Sequence, residues 1–468
     1  MNKLLLFLLV LSVCFSSCEK KRYFSGENAS LVFSTDTVHF DTVFTGRGTV
    51  TRELRVLNPY NSWLVINRIS LAEGDNSSFR LNVDGMPGNN FGKIEIGPSD
   101  SIFIFIDAII DPGDQDKPVL INDSIEFEID GKLQDVNLIA WGQDINLLNA
   151  AVVETETWNE GKPYVVYNSM LVDTGQVLTI NEGTRILFHR GSTMYIAGKL
   201  VVNGTVDNPV VFASDRIEQI YSDVPGQWQG LYFLNGSTGN TIQNAIVGNA
   251  VSGIHSGNLG TPDPAPDLEL YNVSIYHMSV SGLSSIGSSI SAENTLIAHC
   301  GYYCAFLSMG GEYSFTHCTM ANRWDYATRI SPSLYISDFY DYGEDRYTGE
   351  LVLAGFYNSV ITGPLDSEVF IGSVDDEVLN IEFNSCLVRN QDLQDYPYNN
   401  CILNQDPVFF SWNDYDFRPD TLSPLIDNAS VVYAATVPED LRGNSRIADQ
   451  GPDIGAYEKQ TGENAEEK

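Results

Sequence analysis

The chain has 468 residues, of which 61 are acidic and 26 basic, so its formal net charge is −35. That balance excludes electrostatic binding of nucleic acid, which needs a basic patch to displace counterions, and it argues against polyanionic substrates. A hydrophobic share of 43% and an aromatic share of 11% exclude a disordered chain, and the length suits two domains.

The first element is MNKLLLFLLVLSVCFSSC, residues 1–18. One Lys, an apolar run over 4–13 and small residues up to position 17 predict a signal peptide over 1–17, because the run is too short to span a bilayer. Small residues directly before Cys18 resemble the lipobox of bacterial lipoproteins. The resemblance implies that Cys18 is lipidated and that residues 18–27 are a tether. It places the chain in the cell envelope, on the outer membrane, facing the periplasm or the outside. The other cysteines are Cys14, Cys300, Cys304, Cys318, Cys386 and Cys401. The five beyond residue 18 are an odd number without a C-x-x-C pair, so they are expected as small buried hydrophobes rather than a zinc site.

Residues 28–147 alternate in short runs punctuated by Asn, Asp, Gly and Pro, which predicts an antiparallel β-sandwich. RVLNPYNSWLVINRISL (55–71) and GPSDSIFIFIDAIIDP (97–112) resemble strand segments of Ig-like domains of the ASH type. Such domains are spacers or docking modules.

From 148 to 458 the pattern changes. Short apolar groups recur with Gly or Asn between them, and the links are too short for crossover helices. Parallel pairing with such links requires a solenoid. Six segments align: NAIVGN (244–249), NVSIYH (272–277), NTLIAH (294–299), HCTMAN (317–322), NSVITG (358–363) and NSCLVR (384–389). Their offsets of 28, 22, 23, 41 and 26 give a coil of roughly 22 residues, with the excess of the longest gap at 324–349. The leading Asn or His suits a left-handed corner, and Ile246, Ile275 and Ile297 are expected inside the shaft. About 12 coils are expected, ~60 Å in all at ~4.8 Å each.

This part resembles right-handed parallel β-helix proteins of the pectate-lyase-like superfold. Gly198, Leu200, Gly204, Thr205, Pro209 and Phe212 match its first-coil signature, and Trp228, Gly230, Leu231 and Phe233 the W-x-G that follows. DTLSPLIDNAS (420–430) and DLRGNSRIADQGPDIGAYE (440–458) resemble the closing segment and the D-I-G-A-Y-E terminal cap of bacterial surface β-helix proteins. The predicted fold class is therefore all-β: an Ig-like antiparallel sandwich, then a right-handed parallel β-helix, then a polar tail over 459–468. The superfold hosts lyases, glycosidases and adhesins, so it identifies architecture rather than activity.

Lyases of this fold need a Lys or Arg base, and the chain has no Lys between Lys199 and Lys459. Glycosidases need two carboxylates at a set separation, and Asp375–Asp376 stand without the neighbouring motifs. The richest segment is 324–349, where aromatic rings that stack on sugars interleave with carboxylates that accept hydroxyl hydrogen bonds. Trp324, Tyr326, Tyr340, Tyr342, Asp341 and Asp345 are the predicted glycan contacts. His277 and His299 share a column but lack a third metal ligand. Asp341, Glu344 and Asp345 are donors of the kind Ca²⁺ uses, yet no EF-hand spacing accompanies them, so no cofactor or metal is assigned. The reading adopted is a lipid-anchored envelope protein whose β-helix binds or adheres, to glycan, without catalysis. A carbohydrate-active enzyme with an unfamiliar site is the alternative.

Overall fold

A computed structural model describes residues 21–24, 29–45, 51–109, 118–259, 265–374, 378–392, 396–448 and 450–460. The predicted signal peptide, Cys18 and Asp375–Asp376 lie outside these residues. The chain divides into two compact units, one ending at Asp144 and the other beginning at Ile145. Asn146 and Leu147 thus already belong to the first solenoid strand, Asn146–Val153. Among the described residues, no helix is long and apolar enough to cross a membrane.

The first unit is a sandwich of two five-stranded sheets. Strand Ser101–Ala108 shows how it forms, since Ile102, Ile104, Ile106 and Ala108 are buried while the residues between them are not. These four join one core with Leu54, Val56, Phe79, Phe127 and Leu138. One pairing departs from the antiparallel expectation. Strand Thr37–Phe44 runs parallel to Lys132–Gln143, because the preceding strand, Val32–Phe33, pairs in the other sheet with Arg52–Leu57.

The second unit is a parallel β-helix whose strands form a 26-stranded parallel sheet. Each coil lays its strands on those of the coil before. One inner column reads Ile186, Phe212, Val247, Ile275, Ile297, Met320, Ile361, Val388 and Leu403. A second ends in a stack of rings, Phe315, Phe356, Phe383 and Tyr398, with centroids 5.0–5.2 Å apart. Each fully buried Ile, Leu or Phe stabilises the shaft by about 1.5–3 kcal/mol.

Three expectations are corrected by the register. Ile246 is only half-buried, and Ala245 and Val247 take the inward places beside it. The last corner residue is Ser385 rather than Asn384, since Tyr357 pairs with Asn384 and Ser385 has the positive φ of 53°. The longest column extends back through Tyr164 to Asn146, making ten steps. That is ~48 Å at ~4.8 Å per step rather than ~60 Å.

The corner itself follows its residues. Asn244, Asn272, Asn294, His317 and Asn358 all have φ of 46–53°, a conformation Asn tolerates well. Their amides hydrogen-bond along the shaft: Asn272 Nδ2 donates to Asn244 Oδ1 at 3.0 Å and Asn294 Nδ2 to Asn272 Oδ1 at 2.9 Å. The glycine signature has a steric cause. A Cβ on Gly204 would lie 2.0 Å from Asn244 O, and one on Gly230, at φ 133°, 1.8 Å from Ser252 O. Trp228, between them, is buried flat on Phe188 at 4.0 Å and donates its Nε1–H to Gly248 O at 2.8 Å.

The D-I-G-A-Y-E segment does not close the end of the helix. It returns along the side of the shaft and docks on coils well before the last one. Leu425, Phe417 and Ile454 pack on the outward faces of Leu296, Ala298, Ala321, Val360 and Leu387. Arg446 is fully buried and donates to Asn294 Oδ1 at 2.7 Å, Gly455 O at 3.1 Å and Glu458 Oε2 at 3.2 Å. Asp440 gathers the backbone N–H groups of Arg442, Asn444 and Glu458. The motif therefore builds a lateral strap, locked into the Asn corner at the step between Asn294 and His317.

Candidate functional site

The segment 324–349 is not a single loop. Strand Leu334–Ser337 within it is a rung of the shaft, paired with Tyr303–Ser308 on one side and Val369–Gly372 on the other. Two excursions flank that rung, and they carry the six predicted contacts to different faces.

The first excursion takes Trp324 and Tyr326 to the histidine corner. His277 and His299 sit on adjacent coils at φ 61° and 56°, and their Nδ1 atoms are 2.9 Å apart. Asp223 Oδ1 lies 3.8 Å from His277 Nε2. A carboxylate there favours the proton on Nε2 of His277, so His277 Nδ1 accepts and His299 Nδ1–H donates. Burial, and then His299, push His277 down to about 4. Burial also lowers His299. Both rings are therefore neutral at pH 7. Trp324 packs 5.4 Å from His299, and Tyr415 of the strap lies 4.6 and 4.9 Å from the two imidazoles. Tyr326 OH donates to Asp223 O at 3.2 Å. These rings fill each other's surroundings, so this corner ties three segments together. Among the described residues, no group of three His, Cys, Asp or Glu side chains could hold a metal.

The second excursion is an antiparallel hairpin, Phe339–Tyr342 with Asp345–Thr348. Asp341 and Arg346 form a bidentate pair at 2.6 and 2.9 Å, and Arg346 lies over the Phe339 ring at 4.2 Å. Asp341 is thus committed to an arginine. Tyr342 and Asp345 are exposed at the tip. Tyr340 turns the other way and meets Phe306 edge-on at 6.3 Å.

Phe306 belongs to a feature that the repeat reading missed. Tyr195, Tyr232, His255, Ser284, Phe306, Tyr335 and Phe370 are register neighbours on successive coils, and they project outward from one sheet. Phe306 stacks on Tyr335 at 4.8 Å and 23°, and Tyr335 on Phe370 at 4.8 Å and 19°. Tyr232 meets His255 at 4.8 Å. The six steps span ~29 Å. Tyr195 and Phe370, at the two ends, are 37% and 44% exposed. Burial raises the phenols of Tyr232 and Tyr335, which keeps them neutral donors. Such a row offers ring edges, ring faces at its breaks and hydroxyl groups along a straight line. Its signal was present in the sequence as an aromatic between two inward residues: Met194-Tyr195-Ile196, Leu231-Tyr232-Phe233, Leu334-Tyr335-Ile336.

A concavity of about 360 Å³ lies elsewhere on the unit, between coil turns and the strap. Arg323, Gly363, Arg389, Asp406 and Trp412 line it. Arg323 Nε is 3.3 Å from Asp325, and Arg389 Nε donates to Leu365 O at 2.7 Å. Arg329, Arg418 and Arg446 instead face carboxylates as buried or nearly buried pairs.

Residues 150–263 match a family model described as a pectate-lyase like beta helix domain. No curated protein matches the chain. Solved structures that share a short stretch with it include the following three. A family 123 glycoside hydrolase from Clostridium perfringens is 11% identical over 27% of this chain and 31% of its own, with a TM-score of 0.18. The E. coli chaperone DraB is 11% identical over 26% of this chain and 57% of its own, also at 0.18. A chain from the Salmonella enterica SafA pilin–SafB chaperone complex is 13% identical over 26% and 57%, again at 0.18. The present chain thus covers less than two thirds of each, and likeness at this level carries no argument about activity.

Proposed function

We propose that the β-helix is a non-catalytic binding surface for an extended glycan, laid along the row from Tyr195 to Phe370. The observation that carries this reading is that in-register row of outward aromatic residues. Its two end residues, Tyr195 and Phe370, are exposed, whereas another outward column is covered by the chain's own strap. Hydroxyls of Tyr232 and Tyr335 suit sugar hydroxyls, and ring surfaces suit the apolar faces of pyranoses. Tyr340 and the hairpin tip, with Tyr342 and Asp345, would contact the same ligand at one end of the row. Trp324 and Tyr326 leave the proposed site, because they pack at the histidine corner. The net charge of −35 favours neutral over acidic polysaccharides. We further propose an envelope lipoprotein anchored through Cys18, with the sandwich as an Ig-like spacer. The test of the binding reading is a glycan array followed by affinity electrophoresis in neutral polysaccharides. Wild type should be retarded, and Tyr232→Ala with Tyr335→Ala should lose at least tenfold in affinity. Equal retardation of the double variant would overturn the reading. Mass spectrometry of the mature N-terminus should find a diacylglyceryl group on Cys18.

The concavity at Arg323, Arg389 and Asp406 favours the second reading, a carbohydrate-active enzyme, because guanidinium groups and a carboxylate meet in a recess. Turnover of any glycan that disappears in Arg389→Met would support it over the first.

A further inference from the structure

The inner row at one corner of the shaft runs through Cys318, Ser359, Cys386 and Cys401. Each is one residue before a paired position: Thr319 with Val360, Leu387 with Val360, and Leu387 with Ile402. Along the row, each backbone N–H donates to the side chain on the next coil. Cys318 N–H reaches Ser359 Oγ at 3.0 Å, Ser359 N–H reaches Cys386 Sγ at 3.4 Å, and Cys386 N–H reaches Cys401 Sγ at 3.5 Å. A serine performs the same service as the cysteines, so hydrogen bonding alone does not demand sulfur at 386 and 401.

From this we infer that Cys386 and Cys401 are a disulfide-forming pair that staples the final coil to the one before it. Register neighbours on parallel strands lie ~4.8 Å apart, inside the ~4.4–6.8 Å Cα separation that a disulfide spans. The pairing is selective. Cys318 is two rungs from Cys386, with Ser359 between them, and that separation of ~9.6 Å is too long. Cys300 and Cys304 also meet thiol to thiol, but both are fully buried, as is Cys318, whereas Cys401 is only half-buried. An oxidant in solvent therefore meets Cys401 first. The Cys386 thiol, pushed well up by burial, hydrogen-bonds to Cys401 and holds Cys401 below the usual thiol range. Cys401 is thus the better nucleophile.

With oxidised glutathione as the oxidant, the Cys401 thiolate attacks one sulfur and expels a glutathione thiolate. Cys386 then loses its proton, attacks the Cys401 sulfur of the mixed disulfide and expels the second glutathione. Two protein thiols are oxidised, one glutathione disulfide is reduced, and the two protons finish on two glutathione molecules. A bond between Cys386 and Cys401 closes a loop of 15 residues' separation at the last rung of the shaft.

The experiment treats the folded full chain with oxidised glutathione, blocks free thiols after denaturation, and maps the peptides by mass spectrometry. The expected result is a crosslink between Cys386 and Cys401 with loss of two hydrogens, while Cys300, Cys304 and Cys318 remain fully blocked. Cys401→Ser, which keeps the hydrogen-bond row in the manner of Ser359, should leave Cys386 fully blocked too. Full blocking of both cysteines in the wild-type chain would overturn the inference. So would a glutathione adduct that persists on Cys401 without closure.

Discussion

Two outward columns of the same shaft have opposite fates. Leu296, Val360 and Leu387 point away from the core, and the strap of Phe417, Leu425 and Ile454 covers them. Tyr195, Phe306, Tyr335 and Phe370 also point outward, and the described chain leaves their row open apart from the hairpin beside its end. The covered column is aliphatic and the open one aromatic. Aliphatic side chains gain from burial and offer a ligand no hydrogen bond, so such a column needs a cover. Aromatic rings stack on one another, keep a polar tip in water, and remain available to a partner. The difference teaches that an outward hydrophobic column in a solenoid is either a docking rail for its own chain or a surface for something else, and residue type separates the two.

Breaking the covered side should have the largest effect. Arg446→Ala leaves the buried Glu458 carboxylate without its guanidinium partner and removes a donor from Asn294, so it should cost about 3–5 kcal/mol in a denaturant titration and expose the region after residue 404 to protease. A midpoint equal to wild type would mean that the strap does not hold this face. Leu425→Ala, at a site 1% exposed, should cost about 2–5 kcal/mol. The mirror substitution on the open side, Phe370→Ala, should cost about 1 kcal/mol or less, since it forfeits one stacked contact at a half-exposed ring. Comparable losses at 425 and 370 would erase the distinction.

Acid should weaken the histidine corner on the strapped side. His277 has its folded value lowered from 6.5 to about 4, so the unfolded chain binds the proton first as pH falls. Stability from this group is fully present above about pH 6.5 and is lost as pH drops toward 4, by at most about 3 kcal/mol. His317, also held neutral by burial and by Arg446, adds to the same slope. His277→Asn, which the neighbouring corner residue Asn249 shows to suit the left-handed backbone, should flatten part of the slope in thermal melts from pH 7 to 4. An unchanged slope would remove the histidine corner from the account. The smallest effect belongs to the hairpin tip, where Tyr342→Ala should change stability by less than about 0.5 kcal/mol.

Much of this was legible in the sequence. The repeated N-x-x-Φ segments located the corner because only residues that tolerate positive φ can occupy it, and they located the coil length because inward residues must recur once per turn. The glycines at 204 and 230 and Trp228 were legible only through the resemblance to the superfold's signature, since the contacts that require them are made with other coils. The candidate site was less so. Trp324, Tyr326, Tyr340 and Asp341 are neighbours in sequence. A rung at Leu334–Ser337 separates them, so composition in a window could not say which ring faces which sheet. The open row was encoded as apolar–aromatic–apolar triplets, but loops of unequal length between coils hid their alignment until pairing set the register.

Local patterning by itself thus determined a two-part all-β chain with a filled solenoid shaft and an Asn corner. Those features depend on backbone conformation and on side-chain alternation within a few residues. Only the tertiary structure decided that the D-I-G-A-Y-E segment straps the side of the shaft and that seven separated positions form one row. Both depend on contacts between distant residues. Arg446 finds Asn294 across 152 positions, and nothing short of the stacked coils brings such partners within hydrogen-bonding reach.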